Sequence, residues 1–321
     1  MNRVYAECGL VNGLEVVAIC TKDRSSLSKN SLSAPLITDN FNELLDAVDL
    51  VYIHSHPDCH YEQVKKALEA GKHVMCEAPL AKSAAECDEL FSLADERDLV
   101  LMDSLRTAYS TAYARMLLLV AGGRIGDVVS VDATCTNLNT NRPPYSLSHE
   151  TAWSSMAAWG PTALLPIFQI LGSSPETVQF SSLCDLKDKA FDNFSRISVE
   201  FQGAVGSAKV GAGAKSEGSL VVSGTKGYVY VPAPWWKTDY FEIRYENSSD
   251  NRRYFYQLDG EGIRFEWVSF LRMIEAVSKG TDGEEALRRE GGIERDITRA
   301  ICEVVGSFER GDHVRYMEVH K

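Results

Sequence analysis

Over roughly the first third of the chain, short apolar runs alternate with longer stretches in which apolar side chains return every three or four positions. The runs are Leu14–Cys20, broken only by Glu15, then Asp49–Ile53, His73–Cys76 and Leu99–Met102. Runs this short and continuous suit strands of a parallel sheet covered on both faces. Between them, Tyr61–Ala70 puts Val64, Ala67 and Leu68 on one face, and Gly71 can end that helix in the left-handed conformation. Ser83 and Glu86 have capping-box spacing, followed by Cys87, Leu90, Phe91 and Ala94 at helical period. Strand–helix alternation of this kind predicts a doubly wound α/β unit.

After Gly126 the texture changes. Val128–Leu138 alternates as a strand, and Ala152–Leu171 reads as a helix that Pro161 and Pro166 should kink or break. Serial strands then follow at Phe194–Phe201, Ala204–Val210, Ser219–Ser223, Tyr228–Val231, Tyr240–Tyr245 and Arg253–Leu258, separated by turn residues such as Gly224-Thr225-Lys226-Gly227. Consecutive strands joined by short turns predict a mostly antiparallel sheet. Two helices, Ile263–Lys279 and Glu284–Glu309, close the pattern, and the tail Val314–Val319 is strand-like. The expected domains are 1–105 and 106–321, with the break near residues 103–108. Adjacent Trp235 and Trp236, read as part of a strand, would point to opposite faces, one into the core and one toward a partner subunit or a sugar.

Length and charge narrow the picture. A chain of 321 residues is long for one core and suits two domains. With 33 basic and 45 acidic residues and a net charge of −12, it has no general attraction for nucleic acid or anionic membrane. No apolar stretch approaches the ~20 residues of a membrane span, and the N-terminal region has the wrong charge pattern for a signal peptide. Eight scattered cysteines without a Cys-x-x-Cys pair read as free thiols in a reducing compartment. The expected location is the cytoplasm.

Three stretches carry a family resemblance: Val51-Tyr52-Ile53-His54-Ser55-His56-Pro57-Asp58-Cys59-His60, Ala67-Leu68-Glu69-Ala70-Gly71-Lys72-His73-Val74-Met75-Cys76-Glu77-Ala78-Pro79, and Gly123-Arg124-Ile125-Gly126-Asp127-Val128. In this order and spacing, and with Gly224-Thr225-Lys226-Gly227 before a strand, the chain resembles the glucose–fructose oxidoreductase/inositol dehydrogenase (Gfo/Idh/MocA) family. The resemblance implies a Rossmann domain that binds NADP or NAD, with NADP favoured. It implies hydride transfer on a sugar- or cyclitol-like alcohol, and self-association as a dimer or tetramer through an open sheet face. The expected fold is α/β: a Rossmann-like parallel sheet lacking its first strand and glycine-rich loop, followed by an α+β domain with a large, mostly antiparallel open sheet.

The departures are as informative as the matches. Met1–Leu10 resembles the helix that should follow a G-x-G-x-x-G loop, so a strand and that loop are expected upstream of Met1. The tail strand is the other candidate for the vacant position. By family position, Thr21, Lys22 and Arg24 would meet the adenosine ribose or its 2′-phosphate, and Ser55, His56, His60, Glu77 and Ala78 the nicotinamide half. Arg106, Tyr109, His149 and Trp153 would line the substrate cleft. Ala78 stands where the family carries lysine, and Ala158 and Thr162 where it carries aspartate and histidine. Thr162 is the remaining candidate at the base position, although a hydroxyl takes no proton near neutral pH. These losses support an alternative class, a catalytically degenerate relative serving as a nucleotide- or sugar-binding or partner subunit. No metal is expected. His54-x-His56 after a strand has a metal-hydrolase pattern, but that fold needs eight strand–helix units, and the second half of this chain is serial strands.

Overall fold

A computed structural model describes residues 2–29, 31–138, 154–185, 188–258 and 260–318. Helix α1 (Asn2–Cys8) precedes β1 (Ala18–Cys20) and β2 (Leu36–Thr38), which pair in parallel. Helix α2 (Phe41–Ala47), capped by the Asn40 side chain, leads into β3 (Leu50–Ile53). Helix α3 (His60–Glu69), β4 (His73–Glu77), α4 (Ala84–Glu96) and β5 (Leu101–Ser104) complete a parallel sheet of order β3-β4-β5. The continuous apolar runs have the expected cause: Val74, Met75 and Cys76 are all fully buried, because helices cover both faces. Ser83 caps α4 by accepting from the Glu86 N–H, while the Glu86 carboxylate reaches back to the Lys82 N–H.

The five parallel strands form two sheets instead of one. Among the described residues β1 pairs only with β2 and β3 only with β4, yet Ala18 and Cys20 share a core with Val51 and Ile53. This split is where a doubly wound sheet keeps its first strand. The tail does not fill it. Residues Val314–Glu318, the last strand of the chain, pair in parallel with Thr177–Asp185 at the rim of the large sheet.

After α5 (Thr111–Ala121), the large sheet takes in β6 (Val128–Thr136) and then, beyond α6 (Ser155–Leu171), β7 (Thr177–Asp185), β8 (Asp188–Phe201), β9 (Ala204–Gly211), β10 (Leu220–Gly224), β11 (Gly227–Val231), β12 (Tyr240–Tyr245) and β13 (Arg252–Phe255). With β14 (Val314–Glu318) the order is β13-β12-β11-β10-β6-β9-β8-β7-β14, parallel at β6–β9 and β7–β14 and antiparallel elsewhere. Helix α6 lies on one face. Its Ala163, Leu164, Ile167 and Phe168 are buried with Val131, Ala133, Val199, Ala208 and Val210 of the sheet. Pro161 and Pro166 sit inside α6, which runs through both as one helix. Trp235 and Trp236 lie in a 3-10 turn, not a strand; Trp235 is buried and Trp236 packs 4.9 Å from Trp159.

The chain then returns to the parallel sheets. Helix α7 (Ile263–Ser278) packs Trp267, Phe270 and Met273 against Met75, Val100 and Met102. Glu7 of α1 accepts hydrogen bonds from the Glu261 and Arg264 N–H groups and so caps α7 from outside. The expected helix over 284–309 is two, α8 (Gly283–Arg289) and α9 (Arg295–Arg310). Helix α9 serves both cores: Cys302 joins that of the parallel strands, and Ile301, Val305 and Phe308 that of the large sheet. None of the described helices is long and apolar enough to cross a membrane.

Candidate active site

The carboxyl ends of parallel strands are where doubly wound sheets bind ligands. Here those ends carry an unusual density of polar side chains. Strand β3 points Val51 and Ile53 into the core, so Tyr52 projects from the opposite face, and His54 follows at the strand end. Strand β4 ends at Glu77. The Glu77 carboxylate accepts the Tyr52 hydroxyl and stands 3.3 Å from His54 Nδ1. The Tyr52 and His54 rings stack 6.1 Å apart with planes 10° from parallel, and Tyr52 lies 5.6 Å from Trp267 of α7. Burial pushes the Glu77 carboxyl up, but His54, the Tyr52 hydroxyl and the Arg106 charge outweigh it and hold the group below its ordinary value.

Two more carboxyls lie close by with the opposite tendency. Glu266 of α7 is 2 % exposed and accepts from Ser104 Oγ at 3.1 Å. Burial, reinforced by the Glu77 charge, pushes it well above the carboxylate range. Asp103 of β5 is 3 % exposed, and neither of its oxygens has a hydrogen-bond partner among the described residues. Burial raises it to about 7; the neighbouring Thr298 hydroxyl tempers the rise and Glu77 adds repulsion. Carboxyls whose environments drive their pKa values apart are the pattern of acid–base sites.

The residues expected from sequence fall into three groups. Glu77 is at the centre of this cluster, Arg106 acts on it through charge, and Tyr109 adjoins Glu266 and Asp103. Ser55, His56 and His60 lie just past β3 in local structural roles. Ser55 Oγ donates to Gln63, His56 caps the turn at Pro57–Cys59, and buried His60 places its ring nitrogens 2.8 Å from Pro79 O and 3.1 Å from Ser55 O. Burial holds the His60 imidazole below its ordinary pKa. The third group is at the far end of β1. There Thr21 and Asp23 stabilise a turn, Arg24 donates to Ile37 O at 2.8 Å, and Lys22 is exposed. Ala78 is 6 % exposed and belongs to the core of the large sheet, and Thr162 is half-buried on α6. His149 and Trp153 lie outside the described residues. Among the described residues, no three His, Cys, Asp or Glu side chains come together to hold a metal. The three histidines of the His54–His60 stretch do different work: one pairs with a carboxylate, one caps a turn and one is buried between carbonyls.

Sequence reasoning passed over Tyr52, Asp103, Glu266 and Trp267, and weighed His54 only as a metal ligand. The alternation along β3 contained the signal for Tyr52 and His54. Asp103 and Glu266 had none, since the Ser104–Glu266 bond spans 162 residues.

A dinucleotide makes three demands: a partner at the nicotinamide end, one at the adenosine ribose, and a strand–loop–helix turn that cradles the pyrophosphate. The Tyr52, Ser55 and Glu77 oxygens fit the first, and Thr21 with exposed Lys22 fits the second. The third is not among the described residues, where the parallel strands divide into two sheets.

Residues 5–104 match the model of an oxidoreductase family, NAD-binding Rossmann fold (GFO_IDH_MocA). The chain spans about a third of the length of the first curated relatives it matches, among them an uncharacterized oxidoreductase of Schizosaccharomyces pombe, 32% identical over 120 residues (36% of this chain, 33% of that one). It is 24% identical to the trans-1,2-dihydrobenzene-1,2-diol dehydrogenase of Xenopus tropicalis over 231 residues, 69% of this chain and 68% of that one. A shorter match, 39% over 100 residues (30% of this chain, 29% of that one), is to the dTDP-3,4-didehydro-2,6-dideoxy-alpha-D-glucose 3-reductase of Streptomyces violaceoruber. The fold is that of a 3-ketoreductase from Actinomadura kijaniata solved with NADP and TDP-benzene: TM-score 0.81 at 18% identity, covering 99% of this chain and 95% of that one.

Proposed function

We propose that this chain is an oxidoreductase of the Gfo/Idh/MocA family, that it binds NADP in preference to NAD, and that it acts on the secondary alcohol, or the corresponding ketone, of a sugar-like substrate. The observation that carries this reading is the Tyr52–His54–Glu77 cluster at the carboxyl ends of β3 and β4, inside the segment that matches the dinucleotide-binding family. Ser55, Glu77 and the Tyr52 hydroxyl would hold the nicotinamide ribose, and Thr21, Lys22 and Arg24 the adenosine end. His56 and His60 keep the loop between them in shape. A bound nicotinamide supplies a two-electron acceptor or donor. The chain's own contribution is to orient the alcohol and manage its proton. On the substrate side, Arg106 and Tyr109 adjoin the carboxyl cluster, and the half-buried Trp159–Trp236 pair offers an apolar platform for a sugar ring. Thr162 would belong to the same side by family position.

Eight free thiols, six of them buried, are in keeping with a cytoplasmic protein. Self-association would use the outer face of the large sheet, where Val129 and Val205 are 43 % and 50 % exposed on adjacent strands.

The degenerate-subunit reading also has its own observation. Ala78 is packed in a hydrophobic core, and the strands that should flank a pyrophosphate cradle are in separate sheets. Calorimetric titration with NADPH and then NADH separates the two. Saturable NADPH binding in about the micromolar range, weakened by Lys22→Ala more than NADH binding is, supports the oxidoreductase. A folded protein that binds neither nucleotide supports the degenerate subunit.

A further inference from the structure

We propose that His54 is the proton-accepting group of this site, held at Nδ1 by Glu77 and backed by the Tyr52 ring; the proposal rests on the oxidoreductase reading above. Four observations converge on it. His54 Nδ1 is 3.3 Å from a Glu77 oxygen, within reach for an Nδ1–H to donate to the carboxylate and so direct the proton-accepting role to Nε2. The ring is stacked on Tyr52, which restricts its rotation. The Tyr52 hydroxyl donates to the same carboxylate and orients it. The His54 side chain is 38 % exposed, so a ligand at the strand ends can reach it, whereas His60 is fully buried and His56 is engaged with its own turn.

This arrangement assigns the proton chemistry to the parallel-sheet side of the cleft, away from Ala78, Ala158 and Thr162. In the transfer, the alcohol O–H bond breaks and an N–H bond forms at Nε2. Imidazole gains the positive charge and Glu77 stays ionised beside it. The accompanying two-electron oxidation belongs to the reaction proposed above.

Charged and titratable groups face His54 from three elements. Tyr52 precedes it on β3, Glu77 faces it from β4 within ion-pair distance of the ring, and buried His60 of α3 lies within electrostatic reach. Around Glu77 stand Arg106, from the turn after β5, and Glu266 of α7.

The test uses the full chain with histidines labelled in nitrogen-15. Long-range proton–nitrogen spectra, assigned with His54→Gln, should show His54 carrying its proton on Nδ1 at high pH. In Glu77→Gln, which removes the carboxylate, the population should move toward the Nε2-protonated form. A His54 proton on Nε2 in the wild type, or a tautomer balance unmoved by Glu77→Gln, overturns the proposal without reference to the cofactor. The second arm measures NADPH binding by calorimetry and NADP-dependent oxidation of trans-1,2-dihydrobenzene-1,2-diol. His54→Gln should leave NADPH binding within about twofold and lower kcat by about 100-fold. A His54→Gln protein that keeps wild-type turnover also overturns it. Absence of NADPH binding by the wild type defeats the oxidoreductase reading, and the spectra then decide the His54–Glu77 pairing by themselves.

Discussion

Asp103→Asn should reverse part of the protein's pH dependence of stability. Asp103 is buried at the end of β5 with both oxygens unpartnered, and burial raises its pKa from 3.8 to about 7. A group raised in the folded state contributes its stability fully below the unfolded pKa and loses it as pH rises through the folded value. For Asp103 the loss therefore runs between about pH 4 and pH 7. A tenfold change in proton affinity is worth about 1.4 kcal/mol, so ionising this group costs about 4 kcal/mol in total, of which about 2 to 3 falls between pH 5 and pH 8. Asparagine keeps the shape and cannot ionise. Its own cost, from burying an amide at this position, is the same at both pH values. Urea unfolding of both proteins at pH 5 and pH 8, followed by tryptophan fluorescence, gives a double difference in which the titration of every other group largely cancels. The variant should gain about 2 to 3 kcal/mol on the wild type between pH 5 and pH 8. A double difference within about 0.5 kcal/mol of zero, or one of opposite sign, would show that Asp103 is solvated or paired in solution and would refute the buried-carboxyl account.

Two further outcomes follow from the packing around the site. His60→Ala should lose about 2 to 4 kcal/mol in urea, because it removes a fully buried ring that touches the Pro79 and Ser55 carbonyls. Since burial lowers the His60 pKa, its contribution is present above the unfolded value of 6.5 and lost as pH falls through the folded one. The variant should therefore lack part of the wild type's acid destabilisation below pH 6.5, and identical acid limbs in the two proteins would contradict this. Gly126→Ala should cost at least about 1 to 2 kcal/mol, because Gly126 has φ +78° and a β-carbon there would lie 2.3 Å from Thr225 Oγ1. Equal urea midpoints for the variant and the wild type would count against the close approach of the two turns.

That last contact explains why two of the sequence signatures could be read at all. Gly126 and Gly224 are 98 residues apart, yet a β-carbon on Gly224 would meet Ile125 O at 2.3 Å, and the Asp127 N–H donates to Thr225 Oγ1 at 3.0 Å. The two glycine turns are one structural joint seen twice in the chain. The parallel strands were legible for a simpler reason, since burial on both faces leaves an unbroken apolar run. The division of α8 from α9 was local and overlooked: the Gly291-Gly292 turn interrupts the helical spacing before Ile293, Ile297 and Ile301 resume it. What escaped otherwise was non-local. The tail reads correctly as a strand, but nothing in its residues says that its partner is β7 and not β1 or β3. The same limit applies to the site. Glu77 carries a sequence signature, whereas Glu266 resembles any polar position on a helix until folding brings it to Ser104.

The consequence for function turns on Ala78. Its side chain lies within the core of the large sheet together with Leu105, Ala108 and Ile301. A lysine introduced there would have to bury its ammonium at a cost of several kcal/mol or thread its stem out through packed side chains. A lysine at position 78 therefore has no ready place for its ammonium in the packing as it stands. One residue earlier, Glu77 faces the opposite way and joins Tyr52 and His54 at the solvent-facing strand ends. Neighbouring positions of β4 and the turn after it thus divide the work. Ala78 fastens the parallel strands to the large sheet, and Glu77 supplies the charge around which the polar groups of the site are arranged.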